Sequence, residues 1–107
     1  MGRTVVKIKD LYFEWSTIVD APVTFGLTLE EMRDSLKEDY GQRGLDHFDS
    51  ATLARIEQVG AGWRDGTTLE ETVSGNRAGP DESELTIDEI YQAYGLREPI
   101  KGGWVAS

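Results

Sequence analysis

Three four-residue motifs typical of helix N-termini constrain the fold more than any other feature of this sequence. Residues 28–31 and 68–71 both read Thr-Leu-Glu-Glu, and residues 86–89 read Thr-Ile-Asp-Glu. A threonine at the N-cap accepts a hydrogen bond from the backbone N–H three residues later, and a glutamate there bonds back to the threonine N–H. Helices are therefore predicted to begin directly after Thr28, Thr68 and Thr86.

The three starts differ in their surroundings. Leu27 and Met32 are placed to pack across the first start as a hydrophobic staple, and Leu85 and Ile90 are placed in the same way around the third. The second start has threonines at both of those positions and is followed by poor helix-forming residues. We expect about one turn there, and little loss of stability from Thr68→Ala. The three motifs therefore share only their helix-capping residues and are not evidence of a duplicated structural unit.

Apolar residues at helical spacing predict two longer helices. The first covers residues 29–40, with Leu29, Met32, Leu36 and Tyr40 on one face and Gly41 as its stop. The second ends at Gly60 and has Asp46 or Ser50 as its candidate N-cap. Its shared face consists of Leu45, Phe48, Thr52, Leu53, Ile56 and Val59. A short third helix is expected from Thr86 to Gly95.

Residues 4–9 and 11–17 are predicted to be two β-strands that turn at Lys9 and Asp10, because they are rich in β-branched and aromatic residues that alternate. Pro22 excludes a central strand in the next segment. The expected fold is α+β: a small antiparallel N-terminal sheet or hairpin packed against two or three helices. Residues 1–96 are expected to form a single domain, and the tail 97–107 either frays or docks through its apolar residues. The residues on one face of the second strand are Leu11, Phe13, Trp15 and Thr17, and those on the other are Tyr12, Glu14 and Ser16.

Composition excludes several classes of function. The chain has no cysteine, so disulfides, iron–sulfur clusters and thiol nucleophiles are absent. Twenty acidic residues against eleven basic ones give a formal charge of −9, which disfavours direct nucleic-acid binding and anionic membranes. No apolar run approaches the length of a membrane span or a signal peptide, so a cytoplasmic protein is expected. The only basic cluster, Arg3, Lys7 and Lys9, is interpreted as a solvated strand face.

Motifs for catalysis are weak. The paired acids within the three helix starts are explained by the helix dipole, because adjacent residues on a helix do not face one another. The single histidine, His47, stands between Asp46 and Asp49, and these three residues are the alternative site for a metal-dependent enzyme. The glycine-rich segment 60–66 lacks the context of a phosphate-binding loop. No enzyme activity, metal or cofactor is therefore expected.

The leading hypothesis is a protein-binding surface formed by acids. On a helix over residues 29–40, Glu30, Asp34 and Glu38 form a stripe opposite the apolar face, with Arg33 and Lys37 along one edge. Such a stripe is either a solvated helix back or a docking surface for a basic protein partner. Self-association through exposed Trp63 or Trp104 is an alternative. A second acidic cluster that could enlarge the field contains Asp81, Glu82 and Glu84, followed by Asp88 and Glu89.

Two stretches resemble small acidic proteins encoded by tailed phages of actinobacteria, such as the mycobacteriophages. These stretches are LYFEWSTIVDAPVTFG at residues 11–26 and NRAGPDESELTIDEI at residues 76–90, and the similarity extends over roughly Thr4 to Tyr94. The resemblance implies a host-cytoplasm setting in which small non-enzymatic proteins bind a host or phage protein. It brings no catalytic residues with it.

Overall fold

A computed structural model describes residues 2–107. Its N-terminal half is built on a three-stranded antiparallel sheet in the order β1-β2-β3, formed by β1 (Arg3–Ile8), β2 (Leu11–Ser16) and β3 (Ala21–Pro22). Strands β1 and β2 form the predicted hairpin, with Ile8 paired to Leu11 across the turn. Pro22 lies in the short outer strand, where its missing N–H costs no ladder hydrogen bond. The predicted α+β class is confirmed.

Five α-helices occur in residues 2–107, and the first confirms the predicted bounds of 29–40. They are α1 (Leu29–Tyr40), α2 (Gln42–His47), α3 (Ser50–Val59), α4 (Leu69–Val73) and α5 (Ile87–Ile90). A π-helical turn, Tyr91–Gly95, continues α5 to the predicted stop at Gly95. Single 3-10 turns lie at Pro80–Glu82 and Lys101–Gly103.

All three predicted helix starts carry a complete capping box. In each box the threonine hydroxyl accepts from the backbone N–H of the third helical residue at 3.1 Å, and that residue's carboxylate accepts from the threonine N–H at 2.9 Å. The box at Thr68 therefore matches the other two in geometry, although α4 is only five residues long. The prediction of about one turn after Thr68 is confirmed.

The predicted second helix is wrong in one respect, because it is two helices. Helix α2 ends at His47, and α3 begins after Asp49, whose carboxylate accepts from the backbone N–H of Thr52 at 2.9 Å. The N-cap is therefore Asp49, and neither Asp46 nor Ser50 takes that role. Helix α2 also packs tightly on α1, because a Cβ on Gly44 would lie 2.5 Å from the carbonyl oxygen of Leu36.

Two hydrophobic clusters cover the two faces of the sheet. On one face Val5 and Tyr12 pack with Met32 and Leu36 of α1 and with residues of α2–α3. On the other face, residues from the C-terminal half of the chain complete the core. Strand β2 is consequently buried on both sides, so the alternation seen in the sequence separates two cores and does not mark a solvent face. The second cluster contains Val6, Ile8, Phe13, Trp15, Ala61, Leu69, Val73, Ala78, Leu85 and Ile90.

Both edges of the hairpin are covered, and the tail is docked. The backbone of Gly60 and Gly62 bonds to the outer edge of β1, and Leu27 exchanges two backbone hydrogen bonds with Tyr12 on the outer edge of β2. In the tail, Ile100 and Trp104 pack against the second cluster, and the ring centroids of Trp104 and Tyr94 lie 6.4 Å apart. Of the two outcomes expected for residues 97–107, docking is the one observed.

Candidate functional site

The three acids of the predicted stripe are exposed on α1. Glu30, Asp34 and Glu38 point away from the apolar face that Met32 and Leu36 bury against the sheet. Within residues 2–107, no lysine or arginine lies within ion-pair distance of these three carboxylates, and the observed ion pairs use other acids. These three carboxylates therefore have no ion-pair partner within residues 2–107.

Two acids of the second predicted group, Glu82 and Glu84, are exposed but have partners within the chain. Glu82 pairs with Arg77 at 3.2 Å, and Glu84 accepts a hydrogen bond from the backbone N–H of Gly75 at 2.9 Å. Asp81 is exposed. The neighbouring Leu85 packs on the sheet face opposite the one that carries α1. The six acids thus lie on elements at opposite faces of the sheet and form two separate surfaces.

A groove of about 270 Å³ runs between α1 and α2 beside the acidic stripe. Arg33 and Lys37, the basic residues expected along the edge of the stripe, line it together with Asp34. Leu45 and Phe48 also line it. The surface of α1 is therefore acidic along its back and mixed in charge where it meets α2.

A buried carboxylate holds the C-terminal end of α1 to the sheet. Glu14 is only 3% exposed, and its Oε2 accepts a hydrogen bond from the hydroxyl of Tyr40, the last residue of α1. Arg3 donates to the same hydroxyl at 2.9 Å and lies 3.6 Å from Glu14 Oε2. Burial, followed by the bond to Glu14, raises the pKa of Tyr40 above its ordinary value. This network fixes α1 and its acids relative to the sheet.

Glu14 was not predicted from the sequence to be a site residue. The sequence feature that could have indicated its burial is its position between two large aromatic residues, Phe13 and Trp15. All five residues from Tyr12 to Ser16 are buried. Period-two alternation assigns Glu14 to a face but does not say whether a helix covers that face. Its partners also come from distant positions, since Tyr40 lies 26 residues along the chain.

The alternative metal site at Asp46, His47 and Asp49 is not assembled. The Asp49 carboxylate caps α3, and the Asp46 carboxylate accepts from the side chain of Gln42 at 3.0 Å. Among the described residues 2–107, no group of three or more histidine, cysteine, aspartate or glutamate side chains is arranged to hold a metal ion. The two carboxylates therefore have local structural roles.

The three basic residues of the predicted N-terminal cluster each have an acidic partner. The distances between charged atoms are 3.6 Å, 2.8 Å and 3.8 Å, so these cations do not form a free phosphate-binding cluster. The first two pairs join β1 to β2 and to α3, and the third joins the β1–β2 turn to α5. They are Arg3 with Glu14, Lys7 with Glu57 and Lys9 with Asp88.

The two tryptophans considered as anchors for self-association are packed into the fold. Trp63 donates its indole N–H to the hydroxyl of Thr72 at 2.9 Å, and both Trp63 and Trp104 lie against the second core cluster. Each is only partly exposed. Neither tryptophan is among the exposed large hydrophobic residues of the described part of the chain.

Comparisons with protein-family models, with curated proteins and with solved structures give no significant match. In residues 2–107 no helix is both long enough and apolar enough to cross a membrane.

Proposed function

We propose that the chain is a small acidic, non-enzymatic protein-binding module whose helix α1 docks on a basic surface of a protein partner. The observation that carries this proposal is the exposure of Glu30, Asp34 and Glu38 on one helix without an ion-pair partner among residues 2–107. Like charges four residues apart on a helix destabilise it slightly. The repulsion among these acids slightly lowers the stability of the folded chain, and binding of a cationic partner would relieve that repulsion.

The support of α1 by the rest of the fold favours a docking role. Met32 and Leu36 bury one side of the helix, and the bond between Tyr40 and Glu14 fixes its C-terminal end. A helix held in this way loses little conformational entropy when a partner binds. The charge of −9 also raises the rate of encounter with a basic protein at low salt.

The acids on the other side of the sheet are a second and weaker candidate surface. Asp81 is exposed, but Glu82 and Glu84 already have internal partners and would have to give up or share those bonds. We therefore place the main contact on α1, with Asp81, Glu82 and Glu84 as a separate acidic area.

The proposed setting is the cytoplasm of an actinobacterial host, with a host protein of basic surface as the partner. This setting rests on the resemblance of residues 11–26 and 76–90 to small acidic phage proteins. The direct partner is a protein and not a nucleic acid, because the charge of −9 repels phosphate backbones.

The test is affinity recovery of partners from lysate of an actinobacterial host, with the natural chain and with the triple variant Glu30→Lys, Asp34→Lys and Glu38→Lys. We expect one or a few proteins that elute as salt is raised, because screening weakens contacts between exposed charges. The triple variant should lose them.

The matched control is a second triple variant that reverses exposed acids elsewhere: Asp46→Lys, Glu70→Lys and Glu98→Lys. It changes the net charge by the same amount but leaves the stripe intact. Retention of the partner by this control and its loss by the first variant support the stripe. Equal recovery by all three proteins places the contact elsewhere, and equal loss by both variants reduces the effect to net charge.

A further inference from the structure

The groove between α1 and α2 combines apolar surface with two positively charged side chains. Leu45 of α2 and Phe48, which follows α2, supply the apolar surface, and Arg33 and Lys37 of α1 supply the positive charge. Residues four apart on a helix are neighbours on its surface, so these two cations can bind one anionic group together. Asp34 also lines the groove, and two cations with one carboxylate leave a net positive charge in an otherwise acidic chain.

Arg33 and Lys37 differ from most basic residues of the chain, because their side chains form no ion pair and no hydrogen bond within residues 2–107. Of the eleven lysines and arginines, five form ion pairs, one donates to other polar groups and one lies over an aromatic ring. Two of the remaining four line this groove. The four are Arg33, Lys37, Arg43 and Arg64.

The two walls of the groove are held together by close packing. Gly44 of α2 lies so near α1 that a Cβ there would be 2.5 Å from the carbonyl oxygen of Leu36. Leu36 and Phe48 are both buried in the same core cluster. The groove is therefore formed before a ligand arrives, and binding there orders little of the chain.

The size of the groove fits one side chain better than a small molecule. Its volume of about 270 Å³ lies just below the range of about 300–1,000 Å³ that is usual for small-molecule sites. Interfaces between proteins, in contrast, are anchored by a few side chains that fill local pockets. Leu45 and Phe48 suit an apolar anchor, and the two cations suit a carboxylate beside it.

The groove lies directly beside the acidic stripe of α1. Asp34 belongs to the stripe and also lines the groove. A protein that docks on α1 through basic residues therefore brings neighbouring side chains of its own to the groove. An acidic residue of that protein is attracted there by Arg33 and Lys37, whereas the stripe would repel it.

We propose that the groove receives an anchor segment of the protein partner, in which an aromatic side chain is followed directly by an acidic residue. The aromatic ring packs on Leu45 and Phe48, and the carboxylate pairs with Arg33 and Lys37. This inference rests on the proposed function, because it assigns a second chemical feature to the same partner. The contact surface of the partner is then basic opposite the stripe and carries one aromatic–acidic anchor beside it.

An NMR titration of the ¹⁵N-labelled chain tests the groove by itself, with the blocked dipeptide acetyl-Phe-Glu-amide as the probe. A single anchor with exposed ion pairs binds weakly, with a Kd on the order of 1 mM. We expect amide shifts concentrated in residues 33–37 and 44–48. Acetyl-Phe-Gln-amide lacks the carboxylate and acetyl-Ala-Glu-amide lacks the ring, so each should bind at least about 3-fold more weakly.

The protein variant is Arg33→Gln with Lys37→Gln, which removes both cations and keeps good helix-forming residues. Its matched control is Arg43→Gln with Arg64→Gln, which removes the other two cations without partners and changes the net charge equally. The first variant should bind acetyl-Phe-Glu-amide at least about 5-fold more weakly, and the control less than about 2-fold more weakly. All four side chains are exposed, so circular dichroism should show the natural fold in both variants.

Several outcomes overturn the proposal. They are an absence of shifts up to about 10 mM dipeptide, shifts away from the groove, equal binding of the three dipeptides, and equal weakening by the variant and its control. 3-Phenylpropionate offers the same ring and carboxylate without a peptide backbone. If it binds more tightly than acetyl-Phe-Glu-amide, the occupant is a free acid and not a segment of a protein, which also overturns the proposal.

Partner recovery distinguishes this inference from the proposed function. The variant Arg33→Gln with Lys37→Gln retains the acidic stripe, and it should recover less of the partner than the natural chain or the control does. Undiminished recovery by this variant overturns the anchor and leaves the stripe as the contact. If the natural chain recovers no partner, the proposed function fails, and the dipeptide titration still decides whether the groove binds an aromatic–acidic segment.

Discussion

Asn76 and Leu85 hold each other through both groups of the Asn76 amide. The side-chain oxygen of Asn76 accepts from the backbone N–H of Leu85 at 3.0 Å, and its nitrogen donates to the carbonyl of Leu85 at 2.8 Å. Two further bonds reach the carbonyl of Val73 and the N–H of Ala78. Asn76 is 2% exposed, so one side chain organises the irregular loop between α4 and α5.

Asn76→Ala should destabilise the fold by about 2–4 kcal/mol, because it leaves buried backbone groups without partners. Urea denaturation followed by circular dichroism measures this change in the free energy of unfolding. Asn76→Asp is the informative companion, since it keeps the shape but replaces two donors with a buried charge. We expect it to be at least as damaging as alanine. A loss below about 0.5 kcal/mol for Asn76→Ala would show that water replaces the amide.

The three capping threonines form a second test. Each box has the same two bonds, and α4 buries Leu69 and Val73 in the second core cluster. The structure therefore replaces the sequence-based expectation of a small effect at Thr68. Thr28→Ala, Thr68→Ala and Thr86→Ala should each cost about 1 kcal/mol in chemical denaturation. An effect confined to Thr28 and Thr86 would show that the box adds stability only where a hydrophobic staple accompanies it.

Much of this fold is predictable because its signals are local. The N-cap at Thr28 and the stop at Gly41 bound α1 correctly, and alternation locates both long strands. The break between α2 and α3 escapes prediction because the apolar spacing continues across it. The cap at Asp49 begins α3, and α2 is held apart on α1 by the close packing of Gly44 on Leu36, which is a tertiary contact.

In the candidate site, too, the local features were predictable from the sequence and the tertiary ones were not. Exposure of Glu30, Asp34 and Glu38 follows from helical periodicity and was predictable. The separation of these acids from Asp81, Glu82 and Glu84 was not, because it depends on which sheet face each element covers.

The bond between Tyr40 and the buried Glu14 gives a third prediction. Tyr40→Phe should cost about 1–3 kcal/mol, the range for a hydrogen bond to a charged group that loses its donor. Tyr91→Phe is the matched control, because Tyr91 donates to the exposed carboxylate of Asp10 at 2.7 Å. We expect the control to lose much less. Equal losses would show that solvent reaches Glu14 as readily as Asp10.

The same network gives an expectation at alkaline pH. The pKa of Tyr40 in the folded state is raised above its ordinary value of 10.0, first by burial and then by the bond to Glu14. Stability from the protonated hydroxyl is therefore fully present below pH 10.0 and is lost as pH rises through the folded-state pKa. The spectrophotometric titration curve of the Tyr40→Phe variant is subtracted from that of the natural chain. The difference should show Tyr40 ionising above pH 10.0. Ionisation at or below the ordinary value would contradict the proposed bond.

Asp49 gives a pH dependence of stability with the opposite sign, at acid pH. The backbone N–H of Thr52, followed by the Thr52 hydroxyl, holds the pKa of the Asp49 carboxyl below its ordinary value of 3.8. Because the folded-state pKa is depressed, the stabilising contribution is present above pH 3.8 and is lost as pH falls through the folded-state pKa. Asp49→Asn separates capping from ionisation, since asparagine is an equally good N-cap but does not titrate in this range.

Urea denaturation from neutral to acid pH is the measurement for this variant. Near pH 7 the natural chain and Asp49→Asn should have similar free energies of unfolding, because both side chains accept the hydrogen bond from the N–H of Thr52. Below pH 3.8 the natural chain should lose stability more steeply, since protonation weakens its cap while the asparagine cap persists. Parallel curves for the two proteins would mean that the Asp49 cap keeps its strength when protonated. In that case the acid sensitivity of the fold would have to arise from other carboxylates with a depressed pKa, such as Asp10, Glu57 and Asp65.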